Sequence, residues 1–92
     1  MLFMVIERFK DGEVEAVYRR FENKGRMLPQ GLKYIGSWVE ANYSRCFQLM
    51  ESEDPRLFDE WIACWQDLVD FEVIPVLPSE ETAKAIARLS DA

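Results

Sequence analysis

The 92-residue sequence contains no histidine, and this absence removes several kinds of site. Histidine is the commonest general base and a frequent ligand of catalytic metals. The only two cysteines, Cys46 and Cys64, lack a CxxC spacing. The sequence therefore lacks the residues that a zinc site or a Cys-His nucleophile requires. We predict no metal and no other cofactor, and we expect both cysteines to be reduced and buried.

Positive charge is also scarce, with 11 Lys and Arg residues against 17 Asp and Glu residues and a formal net charge of −6. This balance disfavours nucleic acid and anionic membrane surfaces as partners. The opening apolar run, MLFMVI, lacks a basic leader and is too short for a membrane span or a signal peptide. We therefore expect a cytoplasmic location without a membrane partner. The length predicts a single domain over residues 1–92.

The segment 54–77, DPRLFDEWIACWQDLVDFEVIPVL, carries the strongest pattern and predicts a helix that runs almost directly into a strand over 71–77. Asp54 and Pro55 are typical of a helix start. At about 100° per residue, the apolar side chains fall in one arc of roughly 160°: Leu57, Phe58, Trp61, Ile62, Cys64, Trp65, Leu68 and Val69. Trp61 and Trp65 could stack on a ligand ring, but their position at the centre of the arc favours core packing.

Three further strands are predicted from their apolar and β-branched content. Residues 2–9 are apolar at both parities up to Glu7 and indicate a central strand covered on both faces. Residues 32–40 and 45–51 form a hairpin whose register is open, because a turn longer by one residue exchanges the faces. Gly36 predicts a bulge or a close approach by another group, and Pro75 predicts either an edge position for the fourth strand or a bulge within it.

Two further helices complete the chain. The spacing of apolar residues predicts an amphipathic helix from Val14 to Lys24 that ends at Gly25. A weaker pattern predicts a short terminal helix over 80–89. The resulting order βαββαβ indicates an α+β fold, a ferredoxin-like sandwich with a four-stranded antiparallel sheet and both main helices on one face.

The second face of this sheet must also be covered, because the strands carry apolar side chains at both parities. An exposed apolar face of several hundred Å² strongly favours association. We therefore predict a homodimer whose two sheets pack face to face, since two-fold pairing is the commonest closed arrangement. The alternative is a monomer whose second face is covered by the terminal helix or by the loop around Met27. The terminal helix could also pack on the partner.

Most of the chain resembles the dimeric α+β barrel superfamily, and more closely a family of short, mostly bacterial proteins known as a domain of unknown function. The likeness lies in MLFMVIERF, in GRMLPQGLKYIGSWVE and in RCFQLMESEDPRLFDEWIACWQDLVDFEVIPV. The resemblance implies a cavity between the sheet and a partner sheet or helices. The superfamily includes monooxygenases, isomerases, dehydratases and haem enzymes. The histidine that several of them use has no counterpart here.

Several polar or aromatic side chains within the predicted strands are candidates for a ligand site: Glu7, Arg8, Tyr34, Trp38, Gln48 and Glu72. A carboxylate in a sheet-lined cavity can have a raised pKa and act as a general acid or base. Arg8 could orient an anionic group, and an aromatic ring could stack on a planar ligand. Alternatively, the charged residues lie in water near strand ends and Gln48 bonds across the dimer.

The sequence contains no recognisable catalytic motif. Two classes of function remain open. The first is a protein that binds a small, largely apolar or aromatic molecule in a sheet-lined cavity, with or without catalysis. The second is a structural or regulatory homodimer whose interior is completely filled by side chains. A cavity of roughly 300 Å³ or more with converging polar groups would favour the first class.

Overall fold

A computed structural model describes residues 1–90 of the chain. Its elements alternate as predicted, with bounds β1 Leu2–Phe9, α1 Val14–Lys24, β2 Lys33–Val39, β3 Arg45–Glu51, α2 Leu57–Ala63, β4 Val69–Val76 and α3 Ser79–Ser90. A short 3₁₀ turn, Lys10–Gly12, joins β1 to α1. The four strands form one antiparallel sheet in the order β2-β3-β1-β4. The predicted ferredoxin-like α+β fold is confirmed.

The strand order explains two sequence features. Pro75 lies in β4, which is an edge strand and therefore tolerates a residue that cannot donate a backbone hydrogen bond. Gly36 follows an irregularity in the pairing of β2 with β3, which falls between Tyr34 and Gly36. The indole of Trp38 also lies over this glycine, 3.5 Å from the position of a β-carbon. The bulge and the close approach predicted at Gly36 are both present.

The buried core lies between the sheet and α2. It contains Phe3, Val5, Leu32, Met50, Phe58, Trp61 and Trp65. The rings of Phe3 and Phe58 meet edge to face at 4.9 Å, and those of Trp61 and Phe71 do so at 5.3 Å. Such aromatic pairs add to the stabilisation from burial itself. The prediction that Trp61 and Trp65 are core residues is correct.

The helix α2 is shorter than the apolar arc predicted. It ends at Ala63, and Val69 begins β4 instead of continuing the helix. Bonds from residue i to i−3, such as Cys64 N to Trp61 O at 3.0 Å and Leu68 N to Trp65 O at 2.9 Å, tighten the chain after the helix. Val69 is then buried opposite Phe9 of β1. Asp54 accepts a hydrogen bond from the Arg56 amide at 3.0 Å, one turn before the helix proper.

The helix α1 covers its half of the sheet incompletely. It ends at Gly25 as predicted, where φ is 68° and the amide donates to the carbonyl of Phe21 at 2.7 Å. No residue of α1 is buried, although the helix is amphipathic. Tyr18 and Phe21 remain 50% and 39% exposed, respectively. The space beneath this helix is therefore not closed by core packing.

The face of the sheet opposite α1 and α2, here called the open face, is apolar at its centre. Neighbouring strands place Leu49, Met4 and Ile74 side by side across it, and Phe47 beside Ile6. Trp38 lies at the β2 edge of the open face and is 60% exposed. Nothing in residues 1–90 buries these side chains. The prediction that both faces of the sheet are apolar is correct.

The helix α3 packs against none of the elements described above. Each of its residues is exposed, including Ile86 and Leu89. The radius of gyration is 15.7 Å, whereas a compact chain of this length has about 12 Å. The alternative in which the terminal helix covers the open face of its own chain is therefore not the arrangement found.

Candidate functional site

The one cleft that combines aromatic walls with converging polar groups lies between the sheet and α1, within residues 1–90. We name it the Glu7 pocket. It has a volume of about 90 Å³ and is lined by Glu7, Phe9, Val17, Tyr18, Phe21, Arg26, Ser37, Cys46, Gln48, Trp61 and Trp65. Its position follows from the incomplete packing of α1. The pocket lies on the helix side of the sheet and not on the open face.

The polar wall of the pocket is built by neighbouring strands. Glu7 of β1 lies opposite Cys46 of β3, and Gln48 follows two residues later on the same face. The side-chain amide of Gln48 donates to the carboxyl group of Glu7. Both residues are only 6% exposed. The two strands thus hold a carboxyl, a carboxamide and a thiol together inside an otherwise apolar sandwich.

Burial determines the ionisation of this group of residues. It raises the pKa of Glu7, and the hydrogen bonds from Gln48 and Cys46, with the positive charge of Arg26, only partly oppose the rise. Burial also raises the pKa of Cys46 to about 12, and the neighbouring Glu7 carboxyl contributes to this rise. Cys46 is therefore a neutral thiol at physiological pH and not an activated nucleophile. The titratable group of the pocket is Glu7.

Arg26 reaches the pocket from the loop between α1 and β2. Its Nε donates to Gln48 Oε1 at 3.3 Å, which extends the polar wall by one residue. Its guanidinium lies over the ring of Tyr34, 3.5 Å from the centroid, and 5.0 Å from that of Phe21. The side chain is held by a hydrogen bond and two aromatic faces.

The structure divides the candidate site residues between two faces. Glu7 and Gln48 meet in the pocket, and Tyr34 stands near them through its contact with Arg26. Arg8, Trp38 and Glu72 belong to the open face.

Arg8 and Glu72 form an exposed ion pair at 3.4 Å. Trp38 and Glu72 share a row across the sheet, through Phe47 and Ile6. However, they lie on opposite edge strands, roughly 14 Å apart at about 4.8 Å per strand spacing. Glu72 and Trp38 are therefore too far apart to contact the same small ligand. The side chain of Gln48 donates a hydrogen bond to Glu7 of its own chain. The alternative in which Gln48 forms a hydrogen bond across a dimer is therefore not the arrangement found.

Sequence reasoning missed Arg26, Tyr18 and Cys46 as lining residues. Arg26 lies in a loop, where no periodicity tells which way a side chain points. Tyr18 was part of the apolar stripe of α1 and was indistinguishable from a core residue. Cys46 had a usable signal, because alternation along β3 places it on the same face as Gln48.

Two further features are absent from residues 1–90. Within residues 1–90, no group of three or more Asp, Glu or Cys side chains is arranged to hold a metal ion. No helix in that range is long and apolar enough to cross a membrane.

Comparisons with known proteins identify the family of the chain and structures with a similar fold. The family model for Domain of unknown function DUF3303 matches residues 1–90. The chain belongs to this family. The match confirms the resemblance to a domain of unknown function that the sequence suggested. Among curated proteins, none matches this DUF3303 chain significantly.

Two solved structures resemble the DUF3303 chain in fold. A protein from Agrobacterium tumefaciens superposes with a TM-score of 0.50 at 12% identity, over 84% of this chain and 94% of that one. A candidate antibiotic biosynthesis monooxygenase from Chloroflexus aurantiacus gives 0.46 at 14% identity, over 85% and 96% of the chains. At these identities the likeness describes the fold alone.

Proposed function

We propose that this DUF3303 protein binds a small, largely apolar or aromatic molecule in the Glu7 pocket. The observation that carries the proposal is a buried carboxyl group that lines a cleft with aromatic walls. Glu7 takes part in none of the ion pairs among residues 1–90. A buried carboxylate without a paired cation is costly to the fold. Acids perturbed in this way, inside a cleft, are typical of functional sites.

The size of the pocket limits the ligand. Its volume of about 90 Å³ is below the 300–1,000 Å³ or so of pockets that enclose drug-sized molecules. The pocket therefore encloses one polar group and a few carbon atoms, while the rest of the ligand contacts the exposed rings of Tyr18 and Phe21. When neutral, the Glu7 carboxyl donates a hydrogen bond to the ligand, and when ionised it accepts one or takes a proton.

A nuclear magnetic resonance titration with a panel of small aromatic and aliphatic compounds tests this proposal. Binding in the pocket should shift the amide resonances of Glu7, Tyr18 and Gln48 and leave those of Ile74 and Glu72 unchanged. A ligand at about a hundred times its dissociation constant should also stabilise the protein by about 2.7 kcal/mol. Shifts confined to the open face, or a panel without any pocket shifts, would contradict the proposal.

We expect Glu7→Gln to make the protein more resistant to unfolding at neutral pH relative to wild type. Burial raises the pKa of Glu7, so the native state retains the proton at pH values where the unfolded state has released it. The contribution of Glu7 to wild-type stability is therefore greatest below the ordinary glutamate pKa and is lost as pH rises through the folded pKa. Each tenfold change in this ionisation equilibrium is worth about 1.4 kcal/mol.

Urea unfolding of both proteins between pH 4 and pH 8 measures this difference. The stability of Glu7→Gln relative to wild type should increase with pH over that interval. Glu22→Gln is the matched control, because Glu22 is exposed on α1 and takes part in none of the ion pairs among residues 1–90. A relative stability of Glu7→Gln that stays constant with pH would show that Glu7 ionises normally.

The second function class, a homodimer, is favoured by a separate observation. We propose that two copies associate through their open faces, which are apolar and uncovered in the single chain. A sheet with strands of seven or eight residues has a face of roughly 400 Å² in flat area. The largest apolar patch on a typical monomer is about 300–600 Å² and is often functional, so an apolar centre on a face of this size supports association. Dimerisation and ligand binding use opposite faces and are compatible.

Two broader expectations remain part of the proposal. Residues 1–92 act as one domain, as the length suggests. A cytoplasmic location is supported by the two cysteines, which are both free thiols, the state typical of reducing compartments.

A further inference from the structure

The backbone of Arg26 is fixed by two side-chain hydrogen bonds, although the residue lies in a loop. Its carbonyl oxygen accepts hydrogen bonds from Trp61 Nε1 and Trp65 Nε1, each at 3.0 Å. These two indoles belong to the most buried part of the core. The loop is thereby fixed to the end of α2, and the guanidinium starts from a defined point at the pocket wall.

The charge of Arg26 also lacks a carboxylate partner within the part of the chain that the structure describes. The side chains of Arg8, Lys10, Arg20, Arg45 and Arg56 each form an ion pair there, whereas Arg26 forms none. A guanidinium has five N–H donors, and Arg26 uses its Nε for Gln48. The terminal nitrogens form no hydrogen bond within residues 1–90. They are the donors left for a bound group.

We propose that Arg26 is an anion subsite of the Glu7 pocket, and that the ligand is a small carboxylic acid bound through its carboxylate. This inference rests on the proposed function and names the chemical class of its ligand. A planar guanidinium matches a carboxylate through two parallel hydrogen bonds. The apolar part of the ligand then lies against Val17, Tyr18 and Phe21.

The surroundings favour a carboxylate over a phosphate. Arg26 is the only cationic side chain among the residues that line the pocket. A phosphate group carries about two negative charges and three acceptor oxygens at neutral pH, which one guanidinium does not match. A carboxylate needs one positive charge and can also accept a hydrogen bond from neutral Glu7. Burial favours that neutral form of Glu7.

Two pairs of equal-shaped probes test the inference: benzoate with benzamide, and isobutyrate with isobutyramide. We expect wild type to bind each carboxylate at least tenfold more tightly than its amide, measured from pocket amide shifts at pH 7. Arg26→Gln should remove this preference, whereas Arg26→Lys should retain part of it. Arg19→Gln, which removes a charge from the exposed side of α1, should keep the preference intact.

The outcomes separate the inference from the proposed function. If the amides bind in the pocket as tightly as the carboxylates, the pocket binds ligands but Arg26 is not an anion subsite. Retention of the full preference in Arg26→Gln overturns the inference in the same way. If neither member of either pair shifts a pocket resonance in wild type, the inference and the proposed function fail together. The wild-type comparison stands even where Arg26→Gln does not fold.

Discussion

Trp61→Ala should lower the free energy of unfolding by about 3–5 kcal/mol, the range for truncating a large buried aromatic side chain. Trp61 is 1% exposed and packs edge to face against Phe58 and Phe71. Alanine would leave a cavity between α2 and the sheet that rigid neighbours fill only in part. The total free energy of unfolding of a native protein is about 5–15 kcal/mol. The variant should therefore lose a large share of its stability.

Trp61→Phe is the matched control for this prediction. It keeps an aromatic ring in the core but removes the indole donor to the carbonyl of Arg26. Trp65 still donates to that carbonyl, so no buried acceptor is left without a partner. We expect a loss of about 1–2 kcal/mol from the hydrogen bond and the smaller ring. Urea unfolding monitored by circular dichroism measures both variants, and a loss below about 1.5 kcal/mol in Trp61→Ala would contradict the central position of this residue.

Leu49→Asp should convert the proposed dimer into a monomer. Leu49 lies near the centre of the open face, between Gly36 of β2 and Met4 of β1. Two-fold symmetry would place two new carboxylates in one interface, and each uncompensated buried charge costs several kcal/mol. Since every 1.4 kcal/mol or so is a factor of ten in affinity, the dissociation constant should rise by at least a hundredfold.

Sedimentation velocity at micromolar concentrations measures this effect. Ala41→Asp is the matched control, because it adds the same charge in the exposed β2–β3 turn and should leave the assembly unchanged. A wild-type protein that is monomeric at these concentrations would contradict the dimer directly. A Leu49→Asp variant that stays dimeric would show that association uses another surface.

The elements of the fold were predictable wherever the local sequence pattern fitted only one kind of element. β1, α1 and β3 have the bounds that their sequence patterns indicate. The end of α2 was not predictable, because Leu68 and Val69 continue the helical stripe while Val69 also suits a strand. In the structure, Val69 pairs with Phe9 of β1 and therefore belongs to the strand β4. This is a tertiary contact that local sequence does not encode.

The candidate site was predictable only in part, for a related reason. Glu7 and Gln48 were recognisable as polar residues inside apolar strands, but their meeting depends on the register between β1 and β3. Arg8 and Glu72 share the same kind of strand context and lie on the other face. Arg26 reaches the pocket through a loop whose path is set by two indole hydrogen bonds. Such long-range contacts are not visible in one sequence.

The alternation of side chains along β1 has a consequence for how this family can diversify. Glu7 belongs to the pocket, while its neighbour Ile6 belongs to the open face. The same holds for Gln48 and Leu49 on β3. Selection can therefore alter the chemistry of the pocket at odd positions of β1 and even positions of β3 without changing the opposite surface. A substitution in the pocket therefore leaves the proposed dimer surface unchanged.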